Sequence, residues 1–404
     1  MNKSNGCNID TLEKIGNKLA DFEEISNNEK NYTILGIWNF GYAEKMRSKK
    51  NNSIYAIKKI NKNSPNFNQI NFKRETEIPM NLNHENLIKL HGIFEDKENI
   101  DKYKEIYKDK KKKENLDNIK QDVEIYCLVL EFAEGGSLES YHKLIREKNP
   151  DEHHSTEFII KIMKQLLKGL KYLESKCVIH RDIKPDNILL DKNYNVKISD
   201  FGICALYKRA LNLDENEIDH DLLMSYTLVG RKDFICPEIE RREHYYFEAD
   251  IFGVGLTLLF LMSKENPIIN KKFYRIINYN NMHNYNIYLK KLVLKLLNQN
   301  YVLRQNASEA LYELELIEKN VKEPNNEEIK TYLEEINNQY DKEVEIFEAK
   351  NNCNNQENMN NNYNNNINSN NLYNSNNNNQ MNNNMNNQIN KNMYNKMNNS
   401  MIND

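Results

Sequence analysis

The residues best suited to chemistry lie in one short stretch, His180 to Asn187, between two apolar runs. The stretch contains an acid, Asp182, a base, Lys184, and the amide of Asn187. Another acid, Asp200, stands thirteen residues after Asn187, next to an aromatic residue and a glycine. Such a loop can aim one carboxylate at a substrate hydroxyl and offer its other oxygens to Mg²⁺, a hard cation that prefers oxygen ligands. These are the side chains that phosphoryl transfer requires.

A second candidate group lies near the N-terminus, where three strand-like runs occupy residues 32–60. Lys58 lies in the third, apolar run, and a lysine there is expected to face an anion. Gly36 and Gly41 flank the first turn and would let the backbone approach phosphate oxygens. Two glycines at this spacing are weak evidence by themselves, so Lys58 is the stronger indication of an anion site.

The elements that must position these residues change in character along the chain. Residues 32–132 are rich in strand-like runs, whereas residues 133–318 are mostly helical in pattern. In residues 156–173, for example, apolar side chains recur at helical spacing behind Ser155, a good N-cap residue. We therefore expect an α+β fold with two lobes, a hinge near Ala133 and a ligand site in the cleft between the lobes.

Two polar segments accompany the small lobe. Residues 1–31 have apolar positions at helical spacing from Ile9 to Ile25, which predicts one amphipathic helix. This helix would pack on the domain or, alternatively, dock a regulatory partner. Residues 95–124 form a highly charged insert with four lysines at 110–113. The insert is expected to be a solvated surface loop, with a nuclear-import or acidic-partner patch as the alternative.

Two more segments follow the large lobe. The helical pattern continues over residues 319–350, where a heptad-like apolar stripe would pack on the domain or, alternatively, mediate self-association or partner docking. Residues 351–404 are dominated by asparagine. A segment of this composition cannot bury a core, so we expect it to be disordered.

Composition argues against several classes of protein. The 56 basic and 59 acidic residues nearly balance, so we expect neither a nucleic-acid partner nor a membrane partner. The six cysteines show no metal-ligand or redox spacing, which indicates a reduced, intracellular protein, cytoplasmic or alternatively nuclear. The N-terminus shows no apolar signal sequence, and the longest apolar run, 254–262, is too short to span a bilayer.

The motifs, taken in order, resemble those of the eukaryotic protein kinases over residues 32–316. The resemblance implies a two-lobe kinase fold and transfer of the γ-phosphoryl group of ATP, with Mg²⁺ or alternatively Mn²⁺, to hydroxyls of protein substrates. It assigns Asp182 to orient the attacking hydroxyl and accept its proton, and Lys184 to neutralise the transferring group. It makes Asn187 and Asp200 the metal ligands.

The same resemblance implies how the phosphates of ATP are held. Lys58 would bind the α- and β-phosphates and pair with Glu75, and the backbone at Gly36 and Gly41 would cover the phosphates. We choose Glu75 over Glu77 because it lies nine residues before a histidine, a spacing common in the family.

The adenine pocket follows from the same resemblance. Ala56 and Leu189 would sandwich the ring, and Leu130 would be the gatekeeper residue. The backbone of Glu131 and Ala133 would supply the hinge hydrogen bonds.

The resemblance also implies supporting contacts in the large lobe. Glu238 would pair with Arg304, and Asp250 would hold the backbone of the loop that carries the acid. His180 and Phe201 would stack as apolar support.

Four positions depart from the family pattern. Trp38 replaces the middle glycine of the phosphate-covering turn, and Ala43, among the nucleotide contacts, replaces a valine. Pro79 should distort or end the helix that carries Glu75. Arg231 stands where serine/threonine kinases usually have threonine. Trp38, Pro79 and Arg231 support one alternative, a pseudokinase scaffold that binds nucleotide or partners without efficient catalysis. A separate alternative is a kinase-like enzyme acting on a small molecule.

Two sequence features bear on whether the acceptor hydroxyl belongs to serine or threonine, or to tyrosine. Lys184, two residues after Asp182, is the serine/threonine pattern, whereas Arg231 and Lys232 weigh slightly toward tyrosine. We expect a serine/threonine kinase.

Arg181 and Thr227 generate a testable prediction about regulation. An arginine next to the catalytic aspartate is a ready partner for a phosphate group, and Thr227 lies three residues before a glycine, where kinases are often phosphorylated. We expect an upstream kinase, or the protein itself, to phosphorylate Thr227, and Arg181 to bind the phosphate and order the loop. Thr227→Ala should then be less active than wild type in a protein phosphorylation assay. Equal activity, with no phosphate on residues 225–227 by mass spectrometry, would contradict this.

Overall fold

The N-terminal lobe is built around one antiparallel sheet. The computed structural model describes residues 9–25, 33–108, 121–149, 153–206, 234–241, 245–263, 268–271, 274–277 and 285–319. The sheet contains the strands β1 (Phe22–Glu24), β2 (Thr33–Ile37), β3 (Gly41–Ser48), β4 (Ile54–Asn61), β5 (Leu90–Glu98) and β6 (Val123–Glu131). Their order is β1-β3-β4-β6-β5, and β2 also pairs with β3. The accompanying helices are α1 (Ile9–Ile15), α2 (Gln69–Met80) and α3 (Ile100–Tyr107).

The central strand β4 places two lysines on opposite faces of this sheet. Side chains alternate along a strand, so Lys58 and Lys59 point in opposite directions. Both are buried. Lys58 lies opposite Ala43 of β3 and Leu128 of β6, while Lys59 lies on the face that helices α1 and α3 cover. Each buried ammonium group therefore needs carboxylate partners of its own.

The prediction of one continuous helix near the N-terminus is wrong. Helix α1 ends at Ile15, because Gly16 adopts φ 141°, and Phe22–Glu24 then extends the sheet by pairing with β3. The expected packing on the domain is confirmed, since Leu12 belongs to the core of the small lobe. A Cβ atom on Gly92 would lie 2.5 Å from Leu12, so the absence of a side chain at Gly92 makes room for the helix.

The prediction of a surface loop over residues 95–124 is also wrong for most of the described part. Strand β5 runs to Glu98, and Asn99 caps α3 by accepting hydrogen bonds from the next turn. Tyr103 and Tyr107 of α3 are buried against the sheet, because apolar residues recur at helical spacing despite the high charge. Residues 109–120, with the lysine run, lie outside the described residues.

Helix α3 is attached to the sheet by a buried cluster of charges. The ammonium group of Lys59 lies 2.9 Å from a carboxylate oxygen of Glu44 and 2.6 Å from one of Glu98. Lys102 of α3 reaches the same Glu44 at 2.9 Å, and the Tyr42 hydroxyl donates a hydrogen bond to Glu98. The paired carboxylates outweigh the effect of burial and keep the pKa of Lys59 above its ordinary value. These contacts join strands β3, β4 and β5 to α3.

The C-terminal lobe is mainly helical. Its helices are α4 (Leu138–Lys148), α5 (Thr156–Ser175), α6 (Pro237–Glu240), α7 (Glu248–Met262), α8 (Ile287–Leu296) and α9 (Ala307–Lys319). Its short strands are β7 (Gly136–Ser137), β8 (Val178–Ile179), β9 (Ile188–Leu190), β10 (Val196–Ile198), β11 (Ala205–Leu206), β12 (Ile268–Lys271) and β13 (Tyr274–Ile277). Helix α7 is buried from Ala249 onward and contacts α5 and α8. The predicted α+β, two-lobe fold is thereby confirmed.

Individual signals in this lobe also agree with the sequence. The Ser155 hydroxyl accepts a hydrogen bond from the amide of Phe158 and caps α5, as predicted. Among the described residues, none of the helices combines the length and the apolar character that crossing a bilayer would require. Residues 320–404 lie outside the described part of the chain, so the predictions for 319–350 and 351–404 stay predictions beyond Lys319.

The buried cluster predicts an unequal cost of removing two lysines. Lys59→Met leaves two buried carboxylates without their shared counter-charge, so we expect a loss of about 3–5 kcal/mol in the free energy of unfolding. Lys143→Met is the matched control, because Lys143 is exposed and lies 3.8 Å from Glu147 on the same helix. This change should cost at most about 1 kcal/mol. Urea unfolding of both variants measures the difference, and equal losses would count against the cluster.

Candidate active site

One buried carboxylate, that of Asp250, holds the backbone of the loop that carries Asp182. Asp250, at the start of α7, accepts hydrogen bonds from the backbone amides of His180 and Arg181, both at 2.7 Å. Burial raises the pKa of Asp250, although the charges and hydrogen bonds of His180 and Arg181 oppose this effect. Arg181 adopts φ 67°, a strained conformation for a residue with a side chain. The two bonds to Asp250 hold this turn, as the resemblance implied.

The three polar side chains of this loop converge on one another. The Lys184 ammonium group lies 2.8 and 2.7 Å from the two carboxylate oxygens of Asp182. The side-chain amide of Asn187 donates hydrogen bonds to the carboxylate and to the backbone carbonyl of Asp182, at 2.7 and 2.9 Å. Asp182 is therefore fixed in orientation by two neighbours, while its side chain remains only half-buried.

Asp200 stands beside this group at the start of the next loop. The Ser199 amide and hydroxyl both donate to the carbonyl of Asn187, at 2.9 and 3.0 Å, which places Asn187 and Asp200 side by side. His180 supports the arrangement, since its ring contacts the carbonyl of Ser199 at 3.0 Å and meets the Phe201 ring edge-on. Burial acts to raise the pKa of Asp200, but the nearby charges of Lys58, His180 and Lys184 bring it below its ordinary value.

The donor set fits a magnesium ion that also binds phosphate. Asn187 and Asp200 offer an amide oxygen and a carboxylate, and the Asp200 side chain keeps 38% of its surface exposed. No cluster of three or more His, Cys, Asp or Glu side chains suited to a metal occurs in the part of the chain that the structure describes. Mg²⁺ commonly uses one or two protein oxygens and completes its shell with water and substrate phosphates. A two-oxygen site of this kind is therefore chemically consistent with the prediction.

The small lobe contributes a buried ion pair. Lys58 contacts the Glu75 carboxylate directly and lies 3.8 Å from Asp200. Burial opposes the charge on Lys58, yet Glu75 and Asp200 outweigh it and raise the pKa of Lys58. Helix α2 ends at Met80, one residue after Pro79, so the proline closes the helix without displacing Glu75. The predicted partner is thus confirmed as Glu75 rather than Glu77, which is exposed.

Four predicted nucleotide contacts lie on one face of the sheet. Lys58 and Ala56 are two residues apart on β4, and two-residue spacing puts side chains on the same face. Their register partners are Ala43, opposite Lys58, and Leu130, opposite Ala56. Ala56 and Leu130 are only half-buried, as is Leu189 in the large lobe. These apolar side chains are therefore available to line a pocket.

The backbone of the predicted hinge makes some of its hydrogen bonds within the protein. The backbone amide of Glu131 donates a hydrogen bond to the carbonyl of Lys89 at 2.9 Å, so this N–H is already used within the protein. The Glu131 carboxylate binds Lys197 at 2.7 Å. The carbonyl of Ala133 accepts a hydrogen bond from Gly136 at 3.3 Å. The contacts of this backbone with adenine therefore stay a prediction.

The side chain of Trp38, in the turn between β2 and β3, is folded toward Lys58 and Gly36. The Trp38 ring centre lies 4.8 Å from the Lys58 ammonium group. A Cβ atom on Gly36 would lie 3.2 Å from the same indole. Gly41 is required for another reason, because a Cβ atom there would lie 2.1 Å from the carbonyl of Lys59. Sequence reasoning noted Trp38 as a departure but did not foresee its position.

Arg181 is already engaged in this structure. Its guanidinium group donates to the carbonyls of Ile203 and Cys204 and, at 2.7 Å, to the hydroxyl of Tyr245. Nothing in the sequence pointed to Tyr245, because 64 residues separate it from Arg181. Thr227, the predicted phosphorylation site, and Arg231 lie outside the described residues.

The last supporting contact is a fully buried ion pair. Arg304 forms two hydrogen bonds to the Glu238 carboxylate, at 2.6 and 3.0 Å, and the guanidinium stacks over the Phe252 ring at 4.9 Å. This pairing confirms the expectation from the sequence. It anchors α6, and with it the end of the loop that follows Asp200, to the helical core.

Comparisons with known proteins agree with this geometry. A MAP kinase kinase of Saccharomyces cerevisiae, MKK1/SSP32, is 28% identical over 266 residues, 65% of this chain and 44% of that protein. Mitogen-activated protein kinase kinase 9 of Arabidopsis thaliana is 29% identical over 269 residues, 65% of this chain and 68% of that protein. The serine/threonine-protein kinase CST20 of Candida albicans is 36% identical over 146 residues, 36% of this chain and 10% of that protein.

The chain spans less than half the length of the two fungal relatives. Residues 30–323, well over half of the chain, match the family model for the protein kinase domain. With the buried Lys58–Glu75 pair and the Asp182 loop in one fold, this match shows that the chain belongs to the protein kinase family.

Proposed function

We propose that the protein is a serine/threonine kinase that transfers the γ-phosphoryl group of Mg-ATP to hydroxyl groups of proteins. The observation that supports this most strongly is that both lobes contribute to one charged centre. Lys58 pairs with Glu75 and approaches Asp200 at 3.8 Å, and the charge of Lys184 also acts on Asp200. Buried charges of both lobes that converge on one cleft are typical of a catalytic site.

Asp182 is the group proposed to handle the substrate hydroxyl. Lys184 and Asn187 fix the direction of its carboxylate, so it can hold the hydroxyl and accept its proton. The hydroxyl oxygen then attacks the γ-phosphorus, the bond from that phosphorus to the bridging oxygen breaks, and ADP leaves. Lys184 carries positive charge next to this point and can neutralise the transferring group.

The proposed nucleotide contacts follow from the positions described above. Lys58 would bind the α- and β-phosphates, and the backbone from Gly36 to Gly41 would cover them. The adenine ring would lie among the half-buried side chains of Ala56, Leu130 and Leu189, with Ala43 beside it and the backbone at Glu131 and Ala133 along its edge. Asn187 and Asp200 would hold Mg²⁺, or Mn²⁺, which supplies positive charge to the phosphates when bound.

The finer proposals concern acceptor, regulation and location. Lys184 two residues after Asp182, and the serine/threonine kinases among the similar proteins, support serine and threonine as acceptors. Two relatives named as MAP kinase kinases support a protein substrate and an upstream kinase that phosphorylates this chain. We place the protein inside the cell, in the cytoplasm or alternatively the nucleus. The pseudokinase alternative has one observation in its favour, the Trp38 indole over Lys58.

Replacing Asp182 tests the catalytic proposal. Asp182→Asn keeps the size of the side chain but removes the proton acceptor, so phosphate transfer should fall by about 10²–10⁴-fold. Asp186→Asn, the same change in the same loop, is the matched control and should stay near wild type. The assay follows labelled γ-phosphate from ATP into a generic protein substrate, with and without EDTA. If Asp182→Asn and wild type both gave only the background signal, the catalytic proposal would fail in favour of a scaffold. Phosphoamino-acid analysis of the labelled product identifies the acceptor residue.

Replacing Glu75 tests the role of the ion pair. Glu75→Gln leaves Lys58 with Asp200 as its remaining carboxylate partner, at 3.8 Å. Lys58 is then less firmly positioned for the phosphates, so we expect at least about a tenfold loss of kcat/KM for ATP. Glu77→Gln changes an exposed residue of the same helix and should have little effect. Steady-state kinetics at varied ATP concentration distinguishes the two. The assignment to Glu75 is refuted if Glu77→Gln is the more damaging change.

A further inference from the structure

The Trp38 side chain occupies a defined place in the cleft. It folds back beneath β2, so that a Cβ atom on Gly36 would lie 3.2 and 3.3 Å from two atoms of its six-membered ring. The same side chain has its ring centre 4.8 Å from the Lys58 ammonium group. The indole therefore lies between the backbone at Gly36 and the head of Lys58.

This place coincides with the one that the proposed function gives to phosphate groups. Phosphates would bind between the backbone of the turn and Lys58, and Lys58 is held in the cleft by Glu75 and Asp200. An ammonium group over an indole face gains a cation–π attraction, which is strongest where water is excluded. Phosphate oxygens and the indole therefore compete for the same side of Lys58.

The backbone at Trp38 is held, so only the side chain is left to move. The amide of Trp38 donates to the carbonyl of Gly41 at 2.7 Å, within the turn itself. The carbonyl of Trp38 accepts a hydrogen bond from the hydroxyl of Tyr107 at 3.1 Å. Tyr107 is the last residue of α3, the helix that Lys102 ties to Glu44 of the sheet. Helix α3 thus positions the tip of the turn through Tyr107. The half-buried indole can still move away from Lys58 by rotation about the side-chain bonds of Trp38.

We propose that Trp38 determines nucleotide affinity by occupying the phosphate position over Lys58 until a polyphosphate displaces it. This inference rests on the proposed function, because it takes ATP as the ligand of the cleft. Its consequence is specific to phosphate-bearing nucleotides. ATP and ADP must break the contact between the indole and Lys58, whereas adenosine, which needs only the apolar pocket, leaves it intact.

The chain offers a direct probe, because Trp38 is its only tryptophan. The emission of the full-length protein is followed while Mg-ATP, Mg-ADP or adenosine is added, and calorimetry on the same samples measures binding independently. We expect ATP and ADP to shift the emission maximum to longer wavelength as the indole leaves Lys58 for solvent. Adenosine at saturation should leave the maximum unchanged.

Two substitutions separate the ring from the backbone. Trp38→Gly removes the ring and frees the turn, whereas Trp38→Leu removes the ring and keeps a side chain. Both should bind ATP more tightly than wild type, by about 2- to 30-fold if the lost cation–π contact lies in its usual range. Adenosine affinity should be the same in all three proteins. A gain confined to Trp38→Gly would mean that backbone freedom, and not the ring, limits binding, and would overturn the inference.

Two further outcomes distinguish a failure of this inference from a failure of the proposed kinase function. If calorimetry shows ATP binding while the emission of wild type does not change, the indole is not displaced. The inference then fails and the kinase proposal stands. If wild type and both variants bind no ATP by calorimetry, the proposed function fails and this inference fails with it.

Discussion

The buried ion pair between Lys58 and Glu75 is the interaction on which the rest of the site depends. Two charges removed from water are costly unless each is well paired, so the pair forms only when β4 and α2 are correctly placed. Lys58 then also approaches Asp200, which lies in the other lobe. One interaction therefore reports on the relative position of a strand, a helix and the loop after β10. Its cost is met by the apolar packing around β4, where Ile57 and Ile60 are fully buried.

Strand β4 carries two buried lysines, and each of them is paired with carboxylates on its own face of the sheet. Lys58 faces the cleft and finds Glu75, while its neighbour Lys59 faces the other side and finds Glu44 and Glu98. The second set of contacts has no chemical task in the proposed reaction. It fastens α3 to the back of the sheet, and α3 in turn reaches the tip of the turn above the cleft. Helix α3 thus contacts both the charge cluster around Lys59 and the turn that carries Trp38, next to Lys58.

The large lobe uses buried charges in a related way. Asp250 holds the strained backbone at Arg181, and Arg304 holds Glu238 at the end of the segment that follows Asp200. Neither Asp250 nor Arg304 is among the residues proposed to bind ATP, Mg²⁺ or the acceptor hydroxyl. Each satisfies its hydrogen bonds within the protein, so the helical core supports the loops that carry Asp182 and Asp200 in addition to the contacts these loops make with each other.

The sequence by itself determined the motif residues, because their chemistry depends on local spacing. Asp182, Lys184 and Asn187 lie within six residues and must meet wherever that loop is formed. The two-lobe α+β fold could also be predicted, since strand-like and helical periodicities occupy separate parts of the chain. Even long-range pairs such as Glu238 and Arg304 were foreseen, but only through resemblance to a family.

Other features were decided only by the tertiary structure. Phe22–Glu24 became a strand because β3 offered an edge to pair with, and Ile100–Tyr107 became a packed helix because the sheet offered an apolar surface. The contact of Tyr245 with Arg181 and the position of Trp38 over Lys58 depend on neighbours distant in the chain. Local patterns specify which side chains are present, but the contacts between distant segments depend on how the whole chain buries its apolar surface.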